Sequence, residues 1–567
     1  MTIARQVIFK VPVPASRPVP EPRLPLLLLV LASSVLLPLA LPSEFFGGAI
    51  RFLGLKPDES FYWGNAVLGF VCIAPVFYAA SRAPTFRFAS ILGLIFGGIS
   101  TALANYWLMF FQGYTIWTMG GTTLGYMGYN ALLFPFLRGV SRLSSRSRPF
   151  LLATAWCIYE YFKSIGFLGY PWGLIAYPAG AFLPLIQFVD VTGVWGLSFF
   201  MALINALIAE AALAERRPLF FRQAVFGVFL IACVLGYGTY RLITPIPAAT
   251  KATLLLVQQN TNPWEEGGKA NSKAVSVNMD LTRQGTNDSS STPDLAVWSE
   301  SSVNNAWVDK DNRLNPPGNP LEPFFRSIGI PVLFGGIVVA DYDQRQYMNA
   351  SILVSPQGKV IDTYGKMHPV PFAEAIPFFE YPAVQRFFRN VIGVWNPWFM
   401  GSRYTIFDVP LRSGGNLHFG TPICFEDAFA NLDRGYILRG ADMLINITND
   451  SWSDTWSSEI QHFTVARFRA IENRRVLVRS TNGGVSGVIG PWGEVWGRMP
   501  LFQQAWRDVQ VPVYRDRTLT PYTRFGDWFP AVLIAFLLVV LVLSVIPKKR
   551  GYPEPAAPQR IASRIAK

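Results

Sequence analysis

Gly420-Thr421-Pro422-Ile423-Cys424-Phe425-Glu426-Asp427 ends one apolar run and opens a short acidic one. A strand-like stretch over 417–424, a sharp turn and a helix-forming segment put Cys424 at the carboxyl end of a strand. That is where layered α/β domains hold their ligands. Two other apolar runs also end on ionisable groups. Residues 294–300 finish as Trp298-Ser299-Glu300, and 359–364 lead into Tyr364-Gly365-Lys366. Around them, 252–260, 331–340, 348–355 and 442–448 are short and rich in Val, Ile, Leu and Phe, the pattern of buried strands. The segment 457–475 places Ile460, Phe463, Ala466, Ala470 and Ile471 on one helical face, with Arg467, Glu472 and Arg474 elsewhere. Residues 476–488 return to strand. Strands buried on both faces, with helices between them, predict an α/β layered domain.

Composition says this domain is only part of the chain. The 567 residues are 51% hydrophobic and 15% charged, with mean hydropathy +0.28. That is too apolar for an ordinary soluble protein and too long for one domain. The net charge of +13 is spread over loops between apolar runs, so no nucleic-acid partner is expected. Three His and four Cys, with no CxxC or HxxxH spacing, argue against structural zinc, and no metal or cofactor is expected.

A bilayer core needs about 20 apolar residues per helix. Spans are predicted near 24–42, 62–80, 88–111, 120–137, 150–163, 192–214, 223–242 and 527–547, about eight in all. Basic residues collect on alternate loops: Arg5, Lys10, Arg17 and Arg23; Arg82 and Arg87; Arg138, Arg142, Arg146 and Arg148; Arg216, Arg217 and Arg222; Lys548, Lys549 and Arg550. This asymmetry predicts both termini in the cytoplasm and the block 245–522 on the far side. The expected organisation is an arm (1–23), a seven-helix membrane domain (24–244), an external domain (245–522), a last membrane helix (523–547) and a cytoplasmic tail (548–567). Cys72, Cys157 and Cys233 fall in predicted spans, which leaves Cys424 as the one external cysteine, with no partner for an intradomain disulfide.

Glu, Lys and Cys at strand ends are the groups that thiol acyl transfer needs. A Cys424 thiolate can attack an acyl carbon and hold the acyl group as a thioester. Glu300 can take its proton, and the Lys366 ammonium can stabilise the tetrahedral oxyanion. A helix beginning after Cys424 is expected to lower the thiol pKa through its dipole. Taken singly, a buried cysteine, a strand-end carboxylate and a loop lysine are ordinary features, and only the set of three points to chemistry. His368 and His462 show no evident third residue to orient them.

In this order the three residues resemble the Glu-Lys-Cys pattern of the nitrilase, or carbon–nitrogen hydrolase, superfamily. With seven spans before the block and one after, the chain looks like a bacterial apolipoprotein N-acyltransferase. Lys366-Met367-His368-Pro369-Val370-Pro371-Phe372-Ala373-Glu374 is similar to that family's signature. So are Thr448-Asn449-Asp450-Ser451-Trp452, Gln461-His462 and Arg479-Ser480-Thr481-Asn482-Gly483-Gly484-Val485. In the membrane part, Gly169-Tyr170-Pro171-Trp172 and Gly193-Val194-Trp195-Gly196 also match.

The resemblance implies an α-β-β-α sandwich on a helical bundle of a bacterial inner membrane, with the catalytic domain in the periplasm. It implies that Cys424 takes an acyl chain from a phospholipid, phosphatidylethanolamine being the expected donor. The acceptor is the α-amine of a diacylglyceryl-cysteine apolipoprotein, and a monomer suffices. It implies that Glu374 and Glu426 support the site and that Trp264, Phe425 and Trp452 line the substrate. Phe425 departs from the Tyr often found in the family, and Ser453-Asp454-Thr455-Trp456 departs from the usual Phe-Gly.

Two other readings share some of these features. A membrane-tethered amidase would use the same three residues, but a tether needs one span, not eight. A transporter usually carries ionisable groups inside its spans; here Glu160, Asp190 and Glu210 are the chief ones and sit near ends. The insert 378–400, with Phe387, Phe388, Arg389, Trp395 and Trp398, suits a membrane–water interface and is expected to act as a lid that admits lipid.

Overall fold

The structure, a computed structural model, describes residues 22–546 apart from 46, 49–61, 113–115, 215–216, 266–267, 304–305, 309–320, 342, 344–345, 393–397 and 516–517. Most of the expected arm, the expected tail and the part of the insert containing Trp395 lie outside the described residues.

The main helices ahead of the α/β domain are α1 (Arg23–Ala40), α2 (Ala74–Arg82), α3 (Phe86–Ala104), α4 (Gly121–Val140), α5 (Arg148–Ser164), α6 (Val194–Leu213) and α7 (Arg217–Ile243). The α/β domain contributes α8 (Gly268–Asp288), α9 (Leu321–Ile328), α10 (Ala430–Leu438) and α11 (Trp456–Asn473), and α12 (Trp528–Val545) follows it. Among the described residues, five helices are long and apolar enough to cross a membrane: α1, α3, α6, α7 and α12. The segment expected as a single span near 62–80 is broken into Ala66–Gly69 and α2, with Cys72 in the turn between them. Asn205 on α6 mends the break. Its Oδ1 accepts from Ile73 N and Ala74 N, both at 2.9 Å, and its Nδ2 donates to Gly69 O at 2.8 Å. An apolar setting requires backbone groups to be satisfied in this way. Helices α3 and α4 approach closely because Gly93 faces the backbone of Asn130, where a Cβ would lie 2.1 Å from its carbonyl oxygen.

The α/β domain holds strands β1 (Thr250–Gln258), β2 (Leu295–Val297), β3 (Ala306–Val308), β4 (Val332–Asp341), β5 (Gln346–Val354), β6 (Val360–Gly365), β7 (Phe407–Pro410), β8 (Asn416–Gly420), β9 (Met443–Thr448), β10 (Leu477–Thr481), β11 (Gly487–Ile489), β12 (Val495–Trp496) and β13 (Ala505–Val513). One sheet runs β13-β1-β2-β4-β5-β6, with β3 beside β4, and the other runs β12-β11-β10-β9-β8-β7. Leu254, Leu256 and Leu295 of the first sheet share a core with Phe419, Ile445 and Val478 of the second. The other face of the first sheet buries Leu255, Val257 and Ala296 against Val275, Leu281, Phe324 and Phe325 of α8 and α9. Tyr436 of α10 and Phe463, Ala466 and Ala470 of α11 pack with the second sheet. The result is the expected α-β-β-α sandwich.

β13 was not apparent from the sequence, because Arg507, Asp508 and Gln510 interrupt its apolar residues. It pairs antiparallel with β1 from Thr250–Val513 to Gln258–Ala505, so the end of the domain closes onto its beginning. The polar side of α11 is not solvated, contrary to its amphipathic reading. Arg474, Glu472 and Gln461 are buried against the membrane helices.

Candidate active site

Two parallel-paired strands, β2 and β8, and the antiparallel strand β6 deliver three groups to one place. Glu300 follows β2, Lys366 directly follows β6, and Cys424 follows β8 in the other sheet. Gly335 on β4 lets the chain near Glu300 pass close by: a Cβ there would fall 2.5 Å from Glu300 Cα. Cys424 takes a left-handed backbone conformation (φ +51°), sparsely populated for a side-chain-bearing residue, and starts a single 3₁₀ turn, Cys424–Ala428. That turn takes the backbone out of the extended conformation of β8.

Lys366 Nζ lies 3.3 Å from Glu300 Oε1 and 2.9 Å from Glu374 Oε1. Asn349 Nδ2 donates to the same two oxygens, at 2.7 and 3.0 Å. Asn449 N donates to Glu300 Oε2 at 2.9 Å, and Val370 N donates to Glu374 Oε2 at 2.8 Å. Glu300 and Lys366 are both buried. Burial works against the ammonium, but Glu300 and Glu374 outweigh it and hold Lys366 well above the usual lysine range. It is therefore a fixed cation.

The thiol does not follow the expectation of a lowered pKa. Burial and the Glu300 charge push Cys424 well above the ordinary thiol range, while Lys366 and Thr448 pull the other way. The helix that was expected to help is only one 3₁₀ turn at this point, too short to sum much dipole. The resting sulfur is a thiol, and it needs a base to become a nucleophile.

Glu426 joins the two strand ends. Its Oε1 accepts from Met367 N (2.7 Å) and His368 N (2.9 Å), and its Oε2 accepts from Ile423 N (2.7 Å). Tyr364 Oη lies 2.9 and 3.0 Å from the two oxygens. Lys366 and Cys424 are thus each one residue from a peptide held by the same carboxylate. Phe425 stacks on Trp172 of the membrane domain at 5.5 Å between ring centroids. Trp264 and Trp452 meet edge to face at 5.1 Å, and Trp264 also touches Phe111. The His368 ring lies against Phe429, tilted by 42° with centroids 3.7 Å apart, and burial and Lys366 push it down to about 4, leaving it neutral. A cavity of about 390 Å³ lies between the loops after Lys366 and Cys424 and the membrane domain, with Met367, His368, Phe429, Leu174 and Trp195 in its wall.

The sequence did not single out Asn349, which sits inside β5 with no motif around it. Nor did it reveal a buried ring of charges beneath Cys424. His462 Nε2 faces Asp427 Oδ1 at 2.7 Å, and its Nδ1 faces Asp450 Oδ1 at 2.6 Å. Arg479 binds both aspartates, reaching Asp450 Oδ2 at 3.0 Å. The orienting partners that His462 lacked in the sequence are these two aspartates, 35 and 12 residues away in the chain. Among the described residues, no group of His, Cys, Asp and Glu could hold a metal ion.

Residues 47–207 match the apolipoprotein N-acyltransferase N-terminal domain, and residues 322–514 match the carbon-nitrogen hydrolase domain. The chain is 37% identical to "Apolipoprotein N-acyltransferase 2" of Treponema denticola over 511 residues, covering 87% of this chain and 95% of that protein. It is 35% identical to the protein of the same name from Treponema pallidum over 525 residues, covering 88% and 91%. It is 30% identical to "Apolipoprotein N-acyltransferase" of Borreliella burgdorferi over 500 residues, covering 87% and 94%.

Proposed function

Because the chain belongs to the apolipoprotein N-acyltransferase family, we propose that it N-acylates lipoproteins and that Glu300, Lys366 and Cys424 carry the chemistry. Glu300 takes the Cys424 proton. The thiolate attacks the ester carbonyl of a phospholipid, and the carbonyl oxygen becomes an oxyanion beside Lys366 Nζ. The C–O bond breaks, Glu300 returns the proton to the departing alkoxide, and a lysophospholipid leaves. The acyl group stays on Cys424 as a thioester. The α-amine of a diacylglyceryl-cysteine then attacks, Glu300 removes a proton from it, and that proton goes to the departing sulfur. An amide forms and the thiol is restored. The thioester preserves the transfer potential of the ester, so the reaction draws on no nucleotide.

The observation that carries this reading is the convergence of three ionisable strand ends on the side of the sandwich that stacks, through Phe425, on Trp172 of the membrane domain. The fixed Lys366 cation and the neutral thiol suit a base-initiated attack. Glu374 and Asn349 position Lys366 and Glu300, and Glu426 positions the backbone beside Lys366 and Cys424. Trp264, Phe425 and Trp452 form an aromatic wall for the lipid.

The five long apolar helices, together with Ala66–Arg82, α4 and α5, fit a topology of about eight spans. The basic loops then favour cytoplasmic termini and a periplasmic catalytic domain in the inner membrane; family membership is the ground for taking phosphatidylethanolamine as the donor and a monomer as the working unit.

The test is intact-protein mass spectrometry of the purified protein and Cys424→Ala after incubation with phosphatidylethanolamine and no acceptor. The expected result is a hydroxylamine-labile fatty-acyl adduct on the wild type alone. An unmodified wild type with its fold intact would overturn the reading.

A further inference from the structure

The loop that joins α5 to the 3₁₀ turn Tyr177–Ala179 is irregular, yet it is pinned at successive peptides. The carbonyls of Tyr170, Pro171 and Trp172 accept in turn from Tyr126 Oη (3.2 Å), Tyr177 Oη (2.7 Å) and Lys163 Nζ (2.5 Å). Glu160, one helical turn before Lys163, accepts from Ile175 N at 2.8 Å. Tyr170 N closes the loop back onto Lys163 O at 2.9 Å. Lys163 is only 5% exposed, and its ammonium also lies 5.1 Å from the centroid of the Tyr126 ring. Taking an ammonium out of water is costly, so burying one to hold a single carbonyl calls for a reason beyond closing the loop.

That reason lies in what the loop carries. Pro171 separates Tyr170 from Trp172, and the two rings are nearly parallel, 5.3 Å apart at 10°. Phe425 completes a triangle of near-parallel rings, 5.5 Å from Trp172 and 6.5 Å from Tyr170. Tyr170 Oη is tied to Asn105 Oδ1 at 2.9 Å. Trp172 also meets the His462 ring at 5.5 Å. Burial opposes charge on that imidazole, yet Asp427 and Asp450 raise it to about 9, and a cation beside an indole is favourable. On the catalytic side, Phe425 belongs to the turn Cys424–Ala428 and meets Phe429 at 5.0 Å. Cys424 holds its left-handed backbone, φ +51°, in the same turn. Such a conformation persists only where its surroundings over-determine it. Phe425, the next residue, is where the membrane domain supplies part of that constraint.

Resting on Cys424 as the nucleophile, we propose that Lys163 is a positioning residue of this reaction. By pinning Trp172 O it holds the aromatic triangle, and through Phe425 it holds the Cys424 turn in its reactive geometry. The links are a hydrogen bond from Lys163 to Trp172, a ring contact from Trp172 to Phe425 and the peptide bond from Phe425 to Cys424. Lys163 acts through these neighbours and is not itself a catalytic residue. The membrane domain thereby sets the geometry of a nucleophile that belongs to the other domain. Tyr126 and Tyr177 hold the same stretch as neutral donors, and a hydrogen bond from a cation is the strongest of the three.

The experiment is hydrogen–deuterium exchange of the full-length protein in lipid nanodiscs, wild type against Lys163→Met, read by peptide mass spectrometry. Met keeps a long unbranched stem and removes the charge and its donors. Exchange is expected to speed up about tenfold in peptides covering 165–175 and also in those covering 423–429, across the domain boundary. Loosening of 165–175 alone would show a role confined to the loop and would overturn the proposal, as would a wild-type pattern in both. Lys163→Arg should restore the protection of 423–429. The second readout is the rate at which phosphatidylethanolamine in mixed micelles acylates Cys424. Lys163→Met should lower the saturating rate about tenfold and leave the half-saturating phospholipid concentration within about twofold of wild type. An unchanged saturating rate with a raised half-saturating concentration would overturn the proposal. If Lys163→Met does not fold, the double variant Tyr126→Phe/Tyr177→Phe decides instead. It removes two pins and keeps both rings, and unaltered exchange of 423–429 in it would count against the clamp, faster exchange for it. Exchange needs no phospholipid, so a failure of acylation in the wild type would sink the function proposed above without altering this test.

Discussion

Replacing Glu426 by Gln tests whether this buried group works as a carboxylate. Burial pushes it up to about 7, against the pull of the Ile423 and His368 peptides, Lys366 and Tyr364. A side chain already protonated at rest would be mimicked well by Gln, at a cost below about 1 kcal/mol. The contacts argue otherwise. Three backbone N–H groups and one hydroxyl converge on its two oxygens at 2.7–3.0 Å, and of these four partners only the Tyr364 hydroxyl could turn to accept a proton. With Gln, the less costly orientation puts the NH₂ where Oε2 lies. Tyr364 can turn and accept from it, but Ile423 N–H cannot. One buried donor is then orphaned, for ~1–3 kcal/mol, and the remaining bonds lose their charge assistance, for roughly 1 kcal/mol each. The expected loss is about 3–5 kcal/mol, read by urea unfolding in detergent at pH 8. Ile423 and Met367 flank Cys424 and Lys366, so a shift of either peptide should also slow Cys424 acylation by about 100-fold. Glu322→Gln is the control. It breaks an exposed pair with Arg326 (2.6 Å) and should cost under about 0.5 kcal/mol. A Glu426→Gln protein within 1 kcal/mol and threefold of wild type would refute the carboxylate clamp.

Three further outcomes follow from the same contacts. Asn349→Leu removes the donor shared by Glu300 and Glu374 and should slow acylation at least tenfold; Asn349→Asp sets a third carboxylate against those two and should be worse, and equal rates would show that Asn349 is a spacer. A His462 raised from 6.5 to about 9 contributes stability fully present below about pH 6.5 and lost as pH rises through about 9, worth up to roughly 3 kcal/mol; the thermal midpoint should fall between pH 7.5 and 9.5 in the wild type, and the absence of any difference from His462→Gln over that range would exclude it. Excising 382–397 should reduce acyl transfer from bilayer phospholipid at least tenfold while leaving Cys424 alkylation unchanged. Trp398 and Phe399 are kept because their N–H groups bond Glu374 O (2.9 Å) and Tyr347 O (2.8 Å), and unchanged transfer would remove the lid from the mechanism.

What the sequence made legible was whatever local order encodes. Glu300, Lys366 and Cys424 each close an apolar run, so their strand-end positions followed from pattern alone. Glu374 and Glu426 lie within eight residues of a member of that set, and their contacts are short in sequence as well as in space. The ring was not legible, because Asp427, Asp450, His462 and Arg479 belong to four elements that meet only after the second sheet has formed and a helix has packed on it. Asn349 reads as one more polar residue in a half-buried strand. The sign of the thiol's shift was misread because it depends on how much water the fold excludes around Cys424 and on the Glu300 charge, which outweigh a single 3₁₀ turn.

The helix α11 explains why the membrane domain is more than an anchor. In a free-standing sandwich its Gln461, Arg467, Glu472 side and the adjoining Arg474 would face water. Here Gln461 exchanges hydrogen bonds with Trp107 Nε1 (3.1 Å) and Ala104 O (3.0 Å). Arg467 reaches Gly180 O at 2.8 Å, and Glu472 accepts from Val194 N at 2.9 Å. Arg474 binds Asp190 at 2.8 Å and Gln187 at 2.6 Å. Buried charges and amides of this kind accept one geometry, and removing one partner of a buried pair costs ~3–5 kcal/mol. Rocking the sandwich on the bundle would break several of them at once. The same helix carries His462 on its inner side, so one element serves both the docking surface and the ring. Lipid entry by tilting of the catalytic domain is therefore disfavoured. The lipid entry proposed for this protein then falls to segments outside this docking surface, where Phe387 meets Trp117 at 6.3 Å and both rings remain exposed.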